Sequence, residues 1–134
     1  MTSTVKYEGA LRTTATHLKS GNSIITDAPT DNHGKGEQFS PTDLVATALA
    51  SCMVTVMGIK ANAKGINIDG TASEITKVMA SNPRRISEVH VRITMPANGY
   101  SDEEKKLLEH TARTCPVAQS LSSEMKQVVM FEWL

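Results

Sequence analysis

The sequence predicts a single α+β domain over residues 1–134, and three observations predict it. Thr-rich extended runs fill the first 27 residues. A long apolar stretch between Ser40 and Gly65 carries helix-start and helix-stop signals. Residues 86–95 then alternate apolar and polar side chains with the period of a strand. Strands, a capped core helix and more strands, with no internal repeat, low-complexity stretch or linker, make one mixed domain.

Taken in order, residues 3–27 predict three short strands. Val5 and Tyr7 alternate with polar neighbours, and Gly9 breaks the run. Residues 11–18 are Thr-rich and extended, and Lys19–Asn22 turns the chain into Ser23–Thr26. Residues 28–39 (APTDNHGKGEQF) are dense in Gly, Pro, Asn and Asp and form a loop, long enough to suggest a functional role. Ser40 is a suitable N-cap, Pro41 suits the first helical position, and Asp43 completes a capping pattern. The helix should run to about residue 63 and stop at Gly65. Apolar nearly all round from Leu44 to Ile59, it requires cover on most sides, from other helices or from a second subunit.

Ile66–Met79 and Ile86–Met95 read as two strands joined through Ser81–Arg85, the second burying Val89, Val91, Ile93 and Met95. Ser101 and Glu104 form a capping box that starts a helix to about residue 112. Thr114 is expected to cap another helix from Cys115, with Val117, Ala118, Leu121 and Met125 as its inner stripe. Gln127–Trp133 closes the chain as a strand.

Composition narrows the function. Fourteen basic residues balance fourteen acidic ones, no basic stripe forms, and aromatic residues are few, which argues against nucleic-acid binding. The apolar stretch contains Thr47, Ser51, Thr55 and Gly58 and ends at Lys60, so it reads as a core helix and not a membrane span. The opening MTSTVKYEG has neither the charged nor the apolar region of a signal peptide. With only two cysteines, this predicts a reducing cytoplasmic location.

Those cysteines are the candidates for chemistry. Cys115 opens a helix, where unpaired N–H groups and the positive end of the helix dipole favour a thiolate. Cys52 lies mid-helix, where desolvation disfavours the anion unless a cation reaches it. Arg12, beside a candidate strand edge, could be that cation, since a guanidinium keeps its charge when buried. Each residue has a plainer reading: the cysteines as small buried hydrophobes, Arg12 as solvated, Asp43 as a cap. On an ideal helix Asp43 lies about 180° around from Cys52. His17, His33, His90 and His110 lack metal-ligand spacing, and no phosphate-binding or nucleophile-elbow motif occurs, so no metal or cofactor is implied.

Together these segments resemble the OsmC/Ohr superfamily of osmotically inducible and organic-hydroperoxide-resistance proteins. The resemblance rests on Phe39–Cys52 (FSPTDLVATALASC), on the later Cys-Pro-Val at Cys115, and on the order of strands and helices around them. It implies an intertwined homodimer with two long central helices packed between antiparallel sheets. It implies that Cys52 attacks an organic hydroperoxide and becomes a sulfenic acid, and that Cys115 resolves it to a disulfide. A thiol reductant, of which a dihydrolipoyl group is the known type, would reset the pair. Arg12 would be the arginine that holds the thiolate. Family members dedicated to hydroperoxides carry glutamate directly after the helix-opening proline. Here that position is Thr42, and Asp43 matches an acid of other OsmC-like branches. Two further readings stay open: a non-enzymatic dimer that binds a small molecule or senses oxidants, and cysteine-dependent acyl transfer.

Overall fold

The computed structural model describes all 134 residues, Met1–Leu134. The chain forms two compact units, Met1–Val45 and Ala46–Leu134, whose boundary falls in the first helix.

The first unit is an antiparallel sheet of β1 (Ser3–Gly9), β2 (Arg12–His17) and β3 (Ser23–Asp27), in that order. Gly9 pairs with Arg12, so a two-residue turn, Ala10–Leu11, joins β1 to β2. Both turn residues have positive φ, 52° and 62°, as such tight hairpin turns demand. Neither is glycine, and each left-handed residue costs roughly 1–2 kcal/mol. The break read at Gly9 therefore lies just after it, and Leu11 belongs to the turn, not the strand. The 28–39 segment contains one 3-10 turn, Thr30–Asn32. It folds tightly enough that a Cβ on Gly34 would overlap the Ala28 carbonyl, so only glycine fits there.

Helix α1 (Pro41–Lys64) begins where the capping residues place it. The Ser40 N–H donates to the Asp43 carboxylate at 3.0 Å, and the Asp43 N–H donates to Ser40 Oγ at 3.0 Å. It ends at Gly65, φ 69°, where the Gly65 and Ile66 N–H groups close back on the Asn62 and Ala61 carbonyls. One stripe is buried: Ala46, Leu49, Ala50, Met53, Met57 and Ala61. The opposite flank, Val45, Ala48, Ser51, Thr55 and Ile59, stays exposed within the chain. By length and composition alone α1 could cross a membrane, but its buried stripe belongs to the core.

The second unit packs that stripe with a three-stranded sheet, β4 (Ala72–Ala80), β5 (Arg85–Met95) and β6 (Lys126–Trp133), in that order, and with α2 (Asp102–Arg113) and α3 (Pro116–Ser120). Val89, Val91, Ile93 and Met95 are fully buried, as their alternation predicts. The Ser101–Glu104 capping box is formed in full.

Four expectations need correction. β4 starts at Ala72, not Ile66, because Asn67 accepts from the Asp69 N–H and Gly70 adopts φ 94°, which bends the chain first. The second sheet is mixed: β4 and β5 are antiparallel, but β5 and β6 are parallel. Helices α2 and α3 supply the long crossover that parallel pairing needs. The N-cap of α3 is Cys115, whereas Thr114 caps the end of α2. Finally, α3 stops at Ser120, where Leu121 turns extended, so Leu121 and Met125 reach the core from outside the helix.

Candidate active site

The second unit brings together Cys52, which precedes its sheet in sequence, and Cys115, which lies in the crossover between β5 and β6. Cys52, half-buried on α1, packs against the core cluster that contains Cys115. Both are unbridged thiols. Cys115 is 1 % exposed, and its Sγ accepts the Ala118 N–H at 3.3 Å. Burial pushes its pKa above the ordinary cysteine value. The Ala118 N–H pulls the other way, and the neighbouring Cys52 sulfur adds to the rise. The helix-terminus argument for an acidic Cys115 is therefore overturned: desolvation of a nearly inaccessible sulfur outweighs the N–H groups of a five-residue helix.

The first unit holds the candidate cation. Arg12 Nε and Nη2 donate to the two Asp27 oxygens at 2.7 and 2.9 Å, a side-on bidentate pair. Asp27 is 1 % exposed. The Arg12 hydrogen bonds hold its carboxyl below the usual aspartate range against the opposing effect of burial, and the Glu37 N–H assists. The Arg12 guanidinium is correspondingly raised, first by its bond to Asp27. Arg12 is thus paired and not merely solvated.

Asp43 lies at the base of α1 with one carboxylate oxygen on the Ser40 N–H. Thr42 Oγ1 is 3.2 Å from Ser40 Oγ, within the same cap.

Sequence reasoning missed Asp27, which reads as the last residue before a loop. A signal was present: folding a hairpin about residues 19–20 sets Arg12 directly opposite Asp27, the pairing that the sheet adopts. On a twisted strand pair such facing residues are neighbours.

No curated protein matches the chain. Residues 34–129 match the family described as OsmC-like protein. A crystal structure from Psychrobacter arcticus 273-4, of a protein named for osmotic stress induction and a detoxification response, is 56 % identical. It aligns over 98 % of this chain and 96 % of its own, with a TM-score of 0.95. The OsmC organic hydroperoxide resistance protein of Legionella pneumophila shares the fold at 16 % identity and a TM-score of 0.77, over 98 % and 97 % of the two chains. So does the organic hydroperoxide resistance protein of Elizabethkingia anophelis, at 14 % identity and 0.78, over 100 % and 97 %. With its family match covering most of the α+β chain, this protein belongs to the OsmC family.

Proposed function

We propose that the chain is a thiol-dependent peroxidase that reduces organic hydroperoxides to alcohols. The observation that carries this reading is the pairing of Cys52, half-buried, with a buried Cys115 that keeps its proton. The Cys52 thiolate attacks the outer peroxide oxygen. An S–O bond forms, the O–O bond breaks, and the alkoxide leaves as alcohol on taking up a proton. Cys115 then attacks the Cys52 sulfenic acid. The S–S bond forms, and the proton Cys115 had retained departs with the sulfenic oxygen as water. A dithiol reductant of the dihydrolipoyl type returns both thiols by disulfide exchange and is itself oxidised to a disulfide. The resemblance to the family names Arg12 as the cation for the thiolate, and Asp43 fixes the start of the helix that carries Cys52. The names of two proteins sharing this fold support the substrate class.

The working form in this reading is a homodimer in the cytoplasm. Two exposed apolar surfaces support the dimer. One is the α1 flank of Val45, Ala48 and Ile59. The other is one face of the first sheet, where Val5, Tyr7 and Ile24 are each at least half exposed. A second copy would also contribute the partner for the single long helix of this chain.

Consumption of cumene hydroperoxide in the presence of a dithiol tests the proposal. Wild-type protein is expected to turn over, and Cys52→Ser to be inert. Equal rates for the two, or none for either, would remove the peroxidase reading.

A further inference from the structure

Along β6 one face reads Gln127, Val129, Phe131 and Trp133, since alternate residues of a strand share a side. The last three pack against the hydrophobic core. Gln127 lies opposite fully buried Val89 in the parallel pairing, so an amide stands where the pattern calls for an apolar side chain. A polar group on a core-facing side costs free energy unless it is hydrogen-bonded. Its partner is in α3: Gln127 Nε2 donates to the Ala118 carbonyl at 3.1 Å. That carbonyl has no partner within the five-residue helix, because the chain turns extended at Leu121. Ala118 and its neighbour also reach back to the cysteine. The Ala118 N–H donates to Cys115 Sγ at 3.3 Å, and the Gln119 N–H donates to the Cys115 carbonyl at 3.0 Å. The peptide group between Ala118 and Gln119 is thus bonded to Gln127 at its oxygen and to Cys115 at its nitrogen.

We infer that Gln127 is the positioning residue for Cys115, acting through the Ala118–Gln119 peptide to hold the thiol where it can close on Cys52. The inference rests on the peroxidase reading and on the resolving part given there to Cys115. Every residue in it belongs to the second unit. A helix of five residues has almost no stability of its own, so the placement of Cys115 depends on what ties α3 down. Val117 and Ala118 pack against the core, but apolar burial is non-directional. The Gln127 bond is directional, and it comes from a strand fixed by its pairing with β5. Linked hydrogen bonds polarise one another, so the bond at the peptide oxygen strengthens the one at its nitrogen. In the closing step the Cys115 and Cys52 sulfurs bond and the S–O bond of the sulfenic acid breaks. Its oxygen leaves as water with the Cys115 proton. A disulfide accepts only a narrow range of Cα and Cβ placements, so this step is sensitive to where Cys115 is held. The earlier attack on peroxide, at Cys52, is not.

The experiment compares wild type with Gln127→Met, Gln127→Glu and Gln127→Lys at neutral pH. Each reduced protein receives one equivalent of cumene hydroperoxide. Peroxide loss, disulfide closure in quenched samples, dimedone-trapped sulfenic acid and thermal unfolding are followed. Gln127→Met keeps the length of the side chain and loses the donor. It should leave peroxide loss unchanged and slow closure about three- to tenfold, the weight of one hydrogen bond, with a matching rise in dimedone adduct. Gln127→Glu sets an acceptor against the Ala118 carbonyl and should close more slowly still. Gln127→Lys restores a donor and should recover part of the wild-type rate. If Gln127→Met closes fastest of the three, the position serves packing and the inference fails. It also fails if closure is unchanged, whatever the unfolding temperature, or if peroxide loss slows in step with closure. None of these results touches the peroxidase reading. Wild-type protein that consumes peroxide without closing removes the resolving role of Cys115 and the inference with it. Peroxide reduction surviving in Cys52→Ser removes the reading beneath both.

Discussion

At Cys115 two influences act on one sulfur: an N–H group at the mouth of a short helix, and near-complete exclusion from water. Desolvation prevails, so Cys115 stays a thiol through neutral pH, which suits a resolving residue that must release a proton with water. The two cysteines should accordingly fail in different ways. Cys52→Ser abolishes even the first equivalent of peroxide reduction. Cys115→Ser reduces one equivalent and leaves a sulfenic acid on Cys52 that dimedone traps, then overoxidises in excess peroxide. Dimedone labelling of Cys115 in active Cys52→Ser protein would reverse the assignment. Both cysteines were legible as candidates because cysteine is rare in the chain. The raised pKa of Cys115 was not, since it depends on burial that the folded second unit creates.

Elements whose boundaries depend on local chemistry were the most readable. Ser40, Pro41 and Asp43 announce α1, and Ser101 and Glu104 announce α2, because capping groups lie three residues from what they satisfy. The end of α3 and the parallel docking of β6 were not readable, since both are decided by contacts distant in sequence. The α1 cap also yields a prediction. Asp43→Ala should lower unfolding free energy by about 1 kcal/mol, measured by urea denaturation. A fall in peroxide reduction much beyond what that explains would assign Asp43 a part in the chemistry as well. The Arg12–Asp27 pair gives the first sheet a pH signature. The folded-state Asp27 carboxyl lies below its unfolded value, so its stabilising contribution is present above the ordinary aspartate range. It is lost as pH falls through the depressed folded value. Acid unfolding followed by circular dichroism should show Asp27→Asn losing less stability than wild type over that interval.

For the molecule as a whole, the α+β class and the family could be recognised from sequence because the helix motif and the Cys-Pro-Val segment are specific in combination. The mixed character of the second sheet could not, because parallel and antiparallel neighbours bury the same alternation. The exposed flank of α1 and the apolar face of the first sheet set the expectation for assembly. Light scattering at micromolar protein should report about twice the 14.5 kDa chain mass. Ala48→Glu, a charge on the exposed flank of α1, should shift the population toward monomer. A wild-type chain that remains monomeric and folded would end the dimer proposal.

The proximity of two sulfurs so far apart in the chain has a thermodynamic consequence. Closing a bond between Cys52 and Cys115 would tie off a loop of roughly sixty residues in the denatured ensemble, reducing the disorder that unfolding gains. In the chain-entropy description such a loop is worth about 4 kcal/mol to the folded state. The oxidised form would then be the most heat-resistant species of the proposed cycle, and each encounter with reductant would return the protein to a softer one. Differential scanning calorimetry of peroxide-treated and dithiol-treated protein should register the difference as a higher Tm after oxidation, absent in Cys115→Ser. The same oxidation would link the protein's redox history to its survival: under peroxide stress the copies that have just reacted would be the hardest to unfold.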